Sequence, residues 1–540
     1  MPDSDEVMEP TLLARVVRVL RPSHEHTAYS ATLLLVAAVG LSRVIGYLRE
    51  AYIAWAFGAG IHTDAYVAAF TLPDFVNYLL AGGTASITFI SIFARYTSEN
   101  REDEAQHAFS IVITVMSALL TLFIILAEVL TPQFTRWWFP EFSPEQVRLC
   151  VYLTRILLPG QIFFIIGGVV SAVLLARRMF LIPAFAPIIY NLGIILGGVL
   201  LARQFGIASL AYGALAGSFV GPFLINAIGA RRTGIKYRAS FAVRHPAFIE
   251  WLWLSVPLML GVSLVAADDW IMRHFASGGA GDITRLNYAK RLFAVPIAVL
   301  GQATGQATLP FFAKLFGEKR TADFQATVSS AIYRVAGASL LTTAWMMAAA
   351  LPIIDLVYRR GRFNFADSRE TAVLFFWFSI SLAFWAAQGL YARAFYAAGN
   401  TITPMVAGTL VTLASLPVYW SLFQAYSVVG LALASNIGIT AHTVVLAVLL
   451  HRYKLVPASV MPWGELLKVL GTAIFAGTSG YFAATLVHVA GSREADLAAL
   501  ALVSVTWGAA VAVGLWVTDS KLPGMLLRRR ATGGKSRDLR

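Results

Sequence analysis

The sequence predicts an all-α polytopic membrane protein, and three observations predict it. Of 540 residues, 58% are hydrophobic and 13% charged, with a mean hydropathy of +0.69. A water-soluble fold of this length would expose too much apolar surface. The apolar residues come in repeated runs of about 20, the length that crosses a bilayer as a helix. These runs are continuous rather than alternating, which excludes an outer-membrane barrel. The 42 glycines and 21 prolines suit kinked, closely packed membrane helices.

By length and apolarity the chain holds about fourteen spans. They fall near 30–56, 63–95, 107–131, 147–176, 181–203, 206–230, 248–276, 284–313, 324–350, 370–398, 403–424, 427–451, 465–489 and 495–518. Thr131–Gln146, with Arg136, Trp137, Trp138 and Phe139, reads as an interfacial stretch with an aromatic anchor. An even count puts both termini on one side. With the N-terminus inside, the basic residues at 95/101, 177/178, 231–244, 314–320 and 452/454 are cytoplasmic, as is Arg528–Arg530. Tyr358-Arg359-Arg360-Gly361-Arg362 is the one exception to this bias.

The first twelve spans read as two six-span halves in the same orientation. A Gly-rich turn, a mid-helix proline (Pro73, Pro296), a Gly/Thr-rich stretch and a closing Phe-Ala-Arg or Phe-Ala-Lys recur in spans two and eight. The expected organisation is an N-terminal cytoplasmic tail at 1–29, carrying an interfacial helix at Leu12–Leu20, and an N-lobe at 30–230. A basic linker at 231–246, a C-lobe at 247–454, a further pair of spans at 455–518 and a basic tail at 519–540 follow.

Composition excludes several function classes. The net charge of +13 lies between spans and at the C-terminus, so it marks membrane topology and not a nucleic-acid partner. A single cysteine, Cys150, excludes an intramolecular disulfide or a CxxC site, and the nine histidines show no metal-ligand spacing. No Walker A, GxSxG or dinucleotide-binding motif appears, so neither an enzyme nor a cofactor is expected. Transport would draw on the membrane potential, a coupling ion or the cargo's own gradient.

Charge inside apolar spans is where function is sought, because each such group costs at least ~2.5–3.5 kcal/mol at membrane depth. Span one carries Arg43, Arg49 and Glu50, and span two carries Asp64 and Asp74. Arg43 and Glu50 are seven apart and share a helix face with Gly46 between them, while Arg49 lies on another face. Either Arg49, Glu50 and Asp64 form a structural cluster that sets register, or they position and gate a cation site. In span seven, Asp269 and Arg273 are spaced to pair along one face. In span eight, Lys290 and Arg291 have no acidic residue within four positions, so with Arg43 they suit an anionic cargo. Gly46, Pro73, Gly82, Gly83, Pro296 and Gly301 are the hinge candidates, against the plainer reading as packing and kink devices.

At SRVIGYLREAYIAWAFGAGIHTDAYVAAFTLPD the sequence strongly resembles the MurJ/MviN family of lipid II flippases. Supporting stretches are IPAFAPIIYN at 182–191, YAKRLFAVP at 288–296, Gly361-Arg362-Phe363, and ARAFYAAGNTITPM at 392–405. The resemblance runs from about residue 30 to the last span. It implies fourteen helices, two six-helix lobes around a central cavity, and a lipid-tail groove formed by the last two helices. It also implies alternating access that carries an undecaprenyl-pyrophosphate-linked peptidoglycan precursor from the inner to the outer leaflet of the bacterial inner membrane. Membrane lipids and the cell-wall synthesis machinery are the other partners it implies. The family's cavity arginines match Arg43, Arg49 and Arg291, and its aspartate after the Gly-Ala-Gly turn matches Asp64.

Where the family has an Arg-Arg pair after Leu72-Pro73, this chain has Asn77-Tyr78, and Gly82-Gly83 replaces a Glu-Gly. Lys290 stands where the family usually has an acidic residue, and is expected to supply a cation that span two lacks. The reading is a lipid II flippase in which Arg43, Arg49, Arg291, Lys290 and Asn77 meet the cargo and Glu50 and Asp64 gate it. A flippase for another polyprenyl-linked oligosaccharide, an ion-coupled antiporter and a non-transporting scaffold are the alternatives.

Overall fold

A computed structural model describes residues 28–81, 84–177, 179–260, 264–487 and 492–527. Leu12–Leu20, Gly82, Gly83, Arg178 and Arg528–Arg530 lie outside these. The described residues form helices joined by short turns, and no strand is present among them. Among the described residues, eight helices are long and apolar enough to cross a membrane, or ten if each of two bent pairs is one span. This is fewer than the expected fourteen. Spans one and two carry buried charge, and span two is broken at Phe70; residues 261–263 of span seven lie outside the described residues, which leaves Pro246–Leu260 and Leu264–Phe275 on either side. Ile402–Arg452 is one 51-residue stretch that holds two expected spans, parted at Ser427, whose φ is +52°.

The chain makes two compact units, and they do not follow chain order. The first comprises residues up to Tyr52, Ala69–Thr135 and Val147–Leu260. The second comprises Ile53–Ala68, Arg136–Gln146 and the chain from Gly261 onward. The tip of the first hairpin thus packs with the later half. The reason is in the contacts described below: Trp55 and Asp64 find their backbone partners after residue 280.

In the first unit, Phe89, Phe93, Phe109, Val112, Val169 and Trp251 are buried in one apolar core. Leu181–Phe205 and Ala208–Ser218 meet backbone to backbone: a Cβ on Gly197 would lie 2.6 Å from Gly213 Cα. Small residues allow this approach, which dispersion alone must hold in lipid. In the second unit, Phe312, Phe324, Leu390, Phe395 and Leu446 form the main core. The last pair of long helices, Trp463–Thr485 and Arg493–Val517, is tied to Thr321–Ala348. Trp345 Nε1 donates to Ser504 Oγ at 3.0 Å, and Trp507 Nε1 to the Leu341 carbonyl at 3.0 Å.

Prolines set the breaks. Pro73 cannot donate to the Ala69 carbonyl four residues back, and the Thr154 hydroxyl donates to that carbonyl instead, at 3.2 Å. Pro296 closes the Asp282–Pro296 helix, and a π-helical turn, Ile297–Ala303, follows it. A second π-helical turn, Phe219–Ile225, contains Pro222.

Candidate functional site

In the first unit, the span-one charges are held by side chains and not left to lipid. Arg49 donates to the buried Glu50 carboxylate and, from a second nitrogen, to Asn191 Oδ1 at 2.8 Å. Asn191 is itself oriented, since its amide nitrogen donates to the Pro187 carbonyl at 2.8 Å. The guanidinium is planar by resonance, which distinguishes arginine from lysine as an anion receptor, and one carboxylate and one amide fix the direction of that plane. Gly46 lies beside Asn191, so span one passes close to Leu181–Phe205. Arg43 is exposed in this fold. Asn77 donates to Gln161 Oε1 at 2.9 Å.

The second unit answers the question of the span-eight charges. Lys290 donates to the carboxylates of both Asp268 and Asp269. Asp268 is fully buried and also accepts from the Tyr419 hydroxyl and, at 3.0 Å, from Ser435 Oγ. Lys290 therefore neutralises a buried carboxylate, a role that its sequence neighbours do not reveal because both partners lie on the preceding span. Asp269, whose spacing suits Arg273, is also engaged by Lys290. Arg291 is exposed, while Gly301 lies against the Leu382–Ala397 helix, where a Cβ would be 3.0 Å from Ala386 Cα.

Asp64 is buried, and its carboxylate caps a helix that begins more than 200 residues later. It accepts from the amides of Gly281 (2.5 Å) and Thr284 (2.9 Å) and from the Thr284 hydroxyl (2.7 Å). The N-terminal amides of a helix have no partner within it, and the macrodipole favours an anion there. Arg285, one residue on, gathers Asp282 (3.2 Å), Asp367 (3.1 Å) and Glu370 (2.9 Å). The N-terminal end of span eight is thereby fastened to the first hairpin and to Phe365–Ser379. Sequence reasoning missed Arg285, Asn191 and Asp367; the i,i+3 spacing of Asp282 and Arg285 was a local signal, but the bonds Arg285–Asp367 and Arg49–Asn191 join residues distant in sequence.

The Gly361 loop completes this region. Arg362 N donates to the Trp55 carbonyl at 3.0 Å. Gly361 has φ +58°, and a Cβ there would collide with the same carbonyl.

Proline-broken apolar helices that carry internally paired charges define a polytopic membrane transporter, and comparisons agree with that class. A solved structure titled "Lipid II flippase MurJ, inward closed conformation" matches with a TM-score of 0.76 at 22% identity, over 90% of this chain and 99% of that one. An inward-facing multidrug resistance MATE family transporter of the MOP superfamily matches with a TM-score of 0.63 at 15% identity, over 78% and 98%. Among curated relatives, lipid II flippase MurJ of Burkholderia cenocepacia is 28% identical over 68% of this chain and 72% of its own. Probable lipid II flippase MurJ of a Synechocystis species is 23% identical over 86% and 89%. The family profile "Lipid II flippase MurJ" matches residues 53–498, and the chain belongs to that family.

Proposed function

We propose that this transporter is a flippase for lipid II, moving the undecaprenyl-pyrophosphate-linked precursor from the inner to the outer leaflet of the cytoplasmic membrane by alternating access. The observation that carries the reading is the family match over 53–498, which includes segments of both units. The family is one of transporters, so the chain is not an enzyme.

In this reading Arg49, oriented by Glu50 and Asn191, receives the pyrophosphate together with Arg43 in the first unit, and Arg291 is the second unit's cation for the cargo. Lys290 keeps Asp268 neutralised while Asp64 anchors span eight, and Gly46, Pro73, Pro296 and Gly301 absorb the bending. Membrane potential or a coupling ion drives the cycle. Both termini are cytoplasmic, supported by the bias of Lys and Arg between spans. Contacts with the cell-wall synthesis machinery belong to the same reading.

The test is rescue of a bacterium depleted of its own lipid II flippase, with surface-exposed lipid II as the readout. Rescue by the wild type, lost in Arg43→Ala and Arg49→Ala at equal membrane levels, is expected. A well-inserted wild type that leaves lipid II inside overturns the cargo. A second reading, a flippase for another polyprenyl-linked oligosaccharide, draws on one observation. The position of a family arginine is taken by Asn77, which is bonded to Gln161.

A further inference from the structure

The segment that joins Asn226–Arg232 to Pro246–Leu260 is laid along the helix Glu102–Trp138. Three alternate amides fix it. Lys236 N donates to Gln106 Oε1 at 3.3 Å, Arg238 N to Ser110 Oγ at 3.2 Å and Ser240 N to Thr114 Oγ1 at 3.1 Å. The acceptors are four apart on one helix face, about 6 Å from one to the next. Alternate residues of an extended chain advance by about 6.6 Å, so the two repeats stay in register over three bonds. The Tyr237 hydroxyl adds a bond to Thr114 Oγ1 at 3.1 Å, and Ile235 is buried in the unit's core. The chain then turns, with Val243 N donating to the Phe241 carbonyl at 2.7 Å and His245 N to the Ala242 carbonyl at 2.9 Å. It comes back to the start of the helix, where the His245 ring lies 5.2 Å from that of His107. All of these residues belong to the first unit.

The loop has an apolar tip and cationic flanks. Phe241 is 67% exposed and Val243 47%, which is unfavourable for a tip that meets only water. Arg231, Arg232, Lys236, Arg238 and Arg244 are exposed, and none of them meets a carboxylate among the described residues. Nearby cations do: Arg95 is paired with Glu250, Arg101 with Glu104 and Arg177 with Glu102. The depth of the tip is also informative. Glu102–Trp138 has 37 residues and is about 55 Å long, more than the ~30 Å hydrocarbon core requires. Its acidic first turn and His107 therefore stand in the headgroup layer, and Thr114 lies about 10 Å further in. Interfacial side chains reach about 5–10 Å into the boundary between headgroups and acyl chains, which is where this tip sits.

We propose that the loop at 231–245 is an interfacial anchor for anionic phospholipids: Phe241 and Val243 enter the acyl boundary, and the five cations meet the phosphates around them. A zwitterionic headgroup carries an ammonium beside its phosphate and offers the cluster no net charge, whereas an anionic leaflet attracts each Lys or Arg held near it. A soluble polyanion such as RNA would meet the same cations and stack on Tyr237 and Phe241. Attachment to a membrane helix and the aliphatic Val243 at the tip favour lipid. The basic turn at 318–320 is the internal contrast, because Arg320 there is paired with Glu318 and Asp323. By the Lys and Arg bias of the topology proposed above, the leaflet is the cytoplasmic one. Only this assignment of leaflet rests on that reading; the lipid binding does not.

The experiment uses the full-length protein in nanodiscs, with an environment-sensitive fluorophore on Phe241→Cys. Cys150 is the chain's single cysteine and is buried, so the label goes to the tip. Discs of phosphatidylcholine alone are compared with discs of phosphatidylcholine mixed with phosphatidylglycerol. In the mixed discs iodide quenching is expected to fall about threefold or more and quenching by nitroxide-labelled lipid to rise, an effect that salt weakens. Lys236→Gln/Arg238→Gln/Arg244→Gln should give the phosphatidylcholine values in both discs. A label on Ala322→Cys, beside the paired Arg320, should not distinguish them. Equal quenching of the tip in both discs, or a lipid response that survives the triple substitution, overturns the proposal. An equal response at Ala322→Cys marks general surface charge and overturns it too. So does shielding of the tip by a short RNA that exceeds shielding by phosphatidylglycerol, in favour of a soluble polyanion. Should Phe241→Cys fail to insert, Val243→Cys carries the label to the same tip. The cargo assay reads lipid II and this one reads the tip, so either can fail while the other stands.

Discussion

Asp64 Oδ1 accepts both the amide and the hydroxyl of Thr284, at 2.9 and 2.7 Å, across 220 positions of sequence. One carboxylate from the first hairpin thus terminates the helix that carries Lys290 and Arg291. Asp64→Ala would leave buried donors at Gly281 and Thr284 without an acceptor. The loss of a cap and the unsatisfied donors together are expected to cost about 2–3 kcal/mol. Asp64→Asn, which keeps one acceptor oxygen, should lose less. Unfolding midpoints of the two variants in detergent check the order.

Lys290 and Asp268 should behave as a unit. Lys290→Met leaves a buried carboxylate without its cation, and breaking such a pair is expected to cost about 3–5 kcal/mol. Lys290→Met/Asp268→Asn removes both charges and should recover most of that loss. A double-mutant cycle on unfolding free energy measures the coupling; additive effects would show that the pair is not energetically linked.

Gly361→Ala should destabilise the docking of its loop on Trp55. The residue's φ of +58° is strained for any L side chain, by about 1–2 kcal/mol. The added Cβ would also press on the Trp55 carbonyl that Arg362 N uses. Gly58 makes the reciprocal approach, its own Cβ position lying 2.9 Å from the Arg362 carbonyl. Gly206→Ala, at a positive φ with open space around it, carries the backbone strain alone and is the control.

His245, in the basic segment before Pro246–Leu260, gives the fold a pH dependence. Burial lowers its pKa, with His107 and Arg101 adding repulsion and Glu104 opposing them. A histidine whose folded pKa is depressed binds protons more readily when unfolded. Its stabilising contribution is therefore full above the ordinary value of ~6.5 and is lost as pH falls through the folded value. Wild-type unfolding temperature should drop between pH 7.5 and 5.5 by more than that of His245→Asn.

The sequence was most informative where one period or one charge carries the answer. Long continuous apolar runs can only be helices in a membrane, because every backbone group must find its partner within the segment. Arg49 and Glu50 were legible as buried charge because lipid offers such groups nothing. Pro73 and Pro296 marked breaks because a missing N–H acts locally. Lys290 shows the limit: it looked available for cargo because no acid lies within four positions, yet Asp268 and Asp269 reach it from the neighbouring span. Among the described residues eight to ten helices meet the criteria of length and apolarity, against fourteen expected spans, and the bent pairs show how a break divides what hydropathy joins.

The sequence by itself determined the all-α membrane class, the family resemblance and the segments that hold charge, since these follow from composition and local pattern. Only the tertiary structure decided which charge meets which. It gave Asp64 to a helix terminus, Lys290 to Asp268, Arg49 to Asn191 and the hairpin tip to the later half. Ion pairs and caps are contacts between spans, and their geometry depends on helix packing that no spacing along one span encodes.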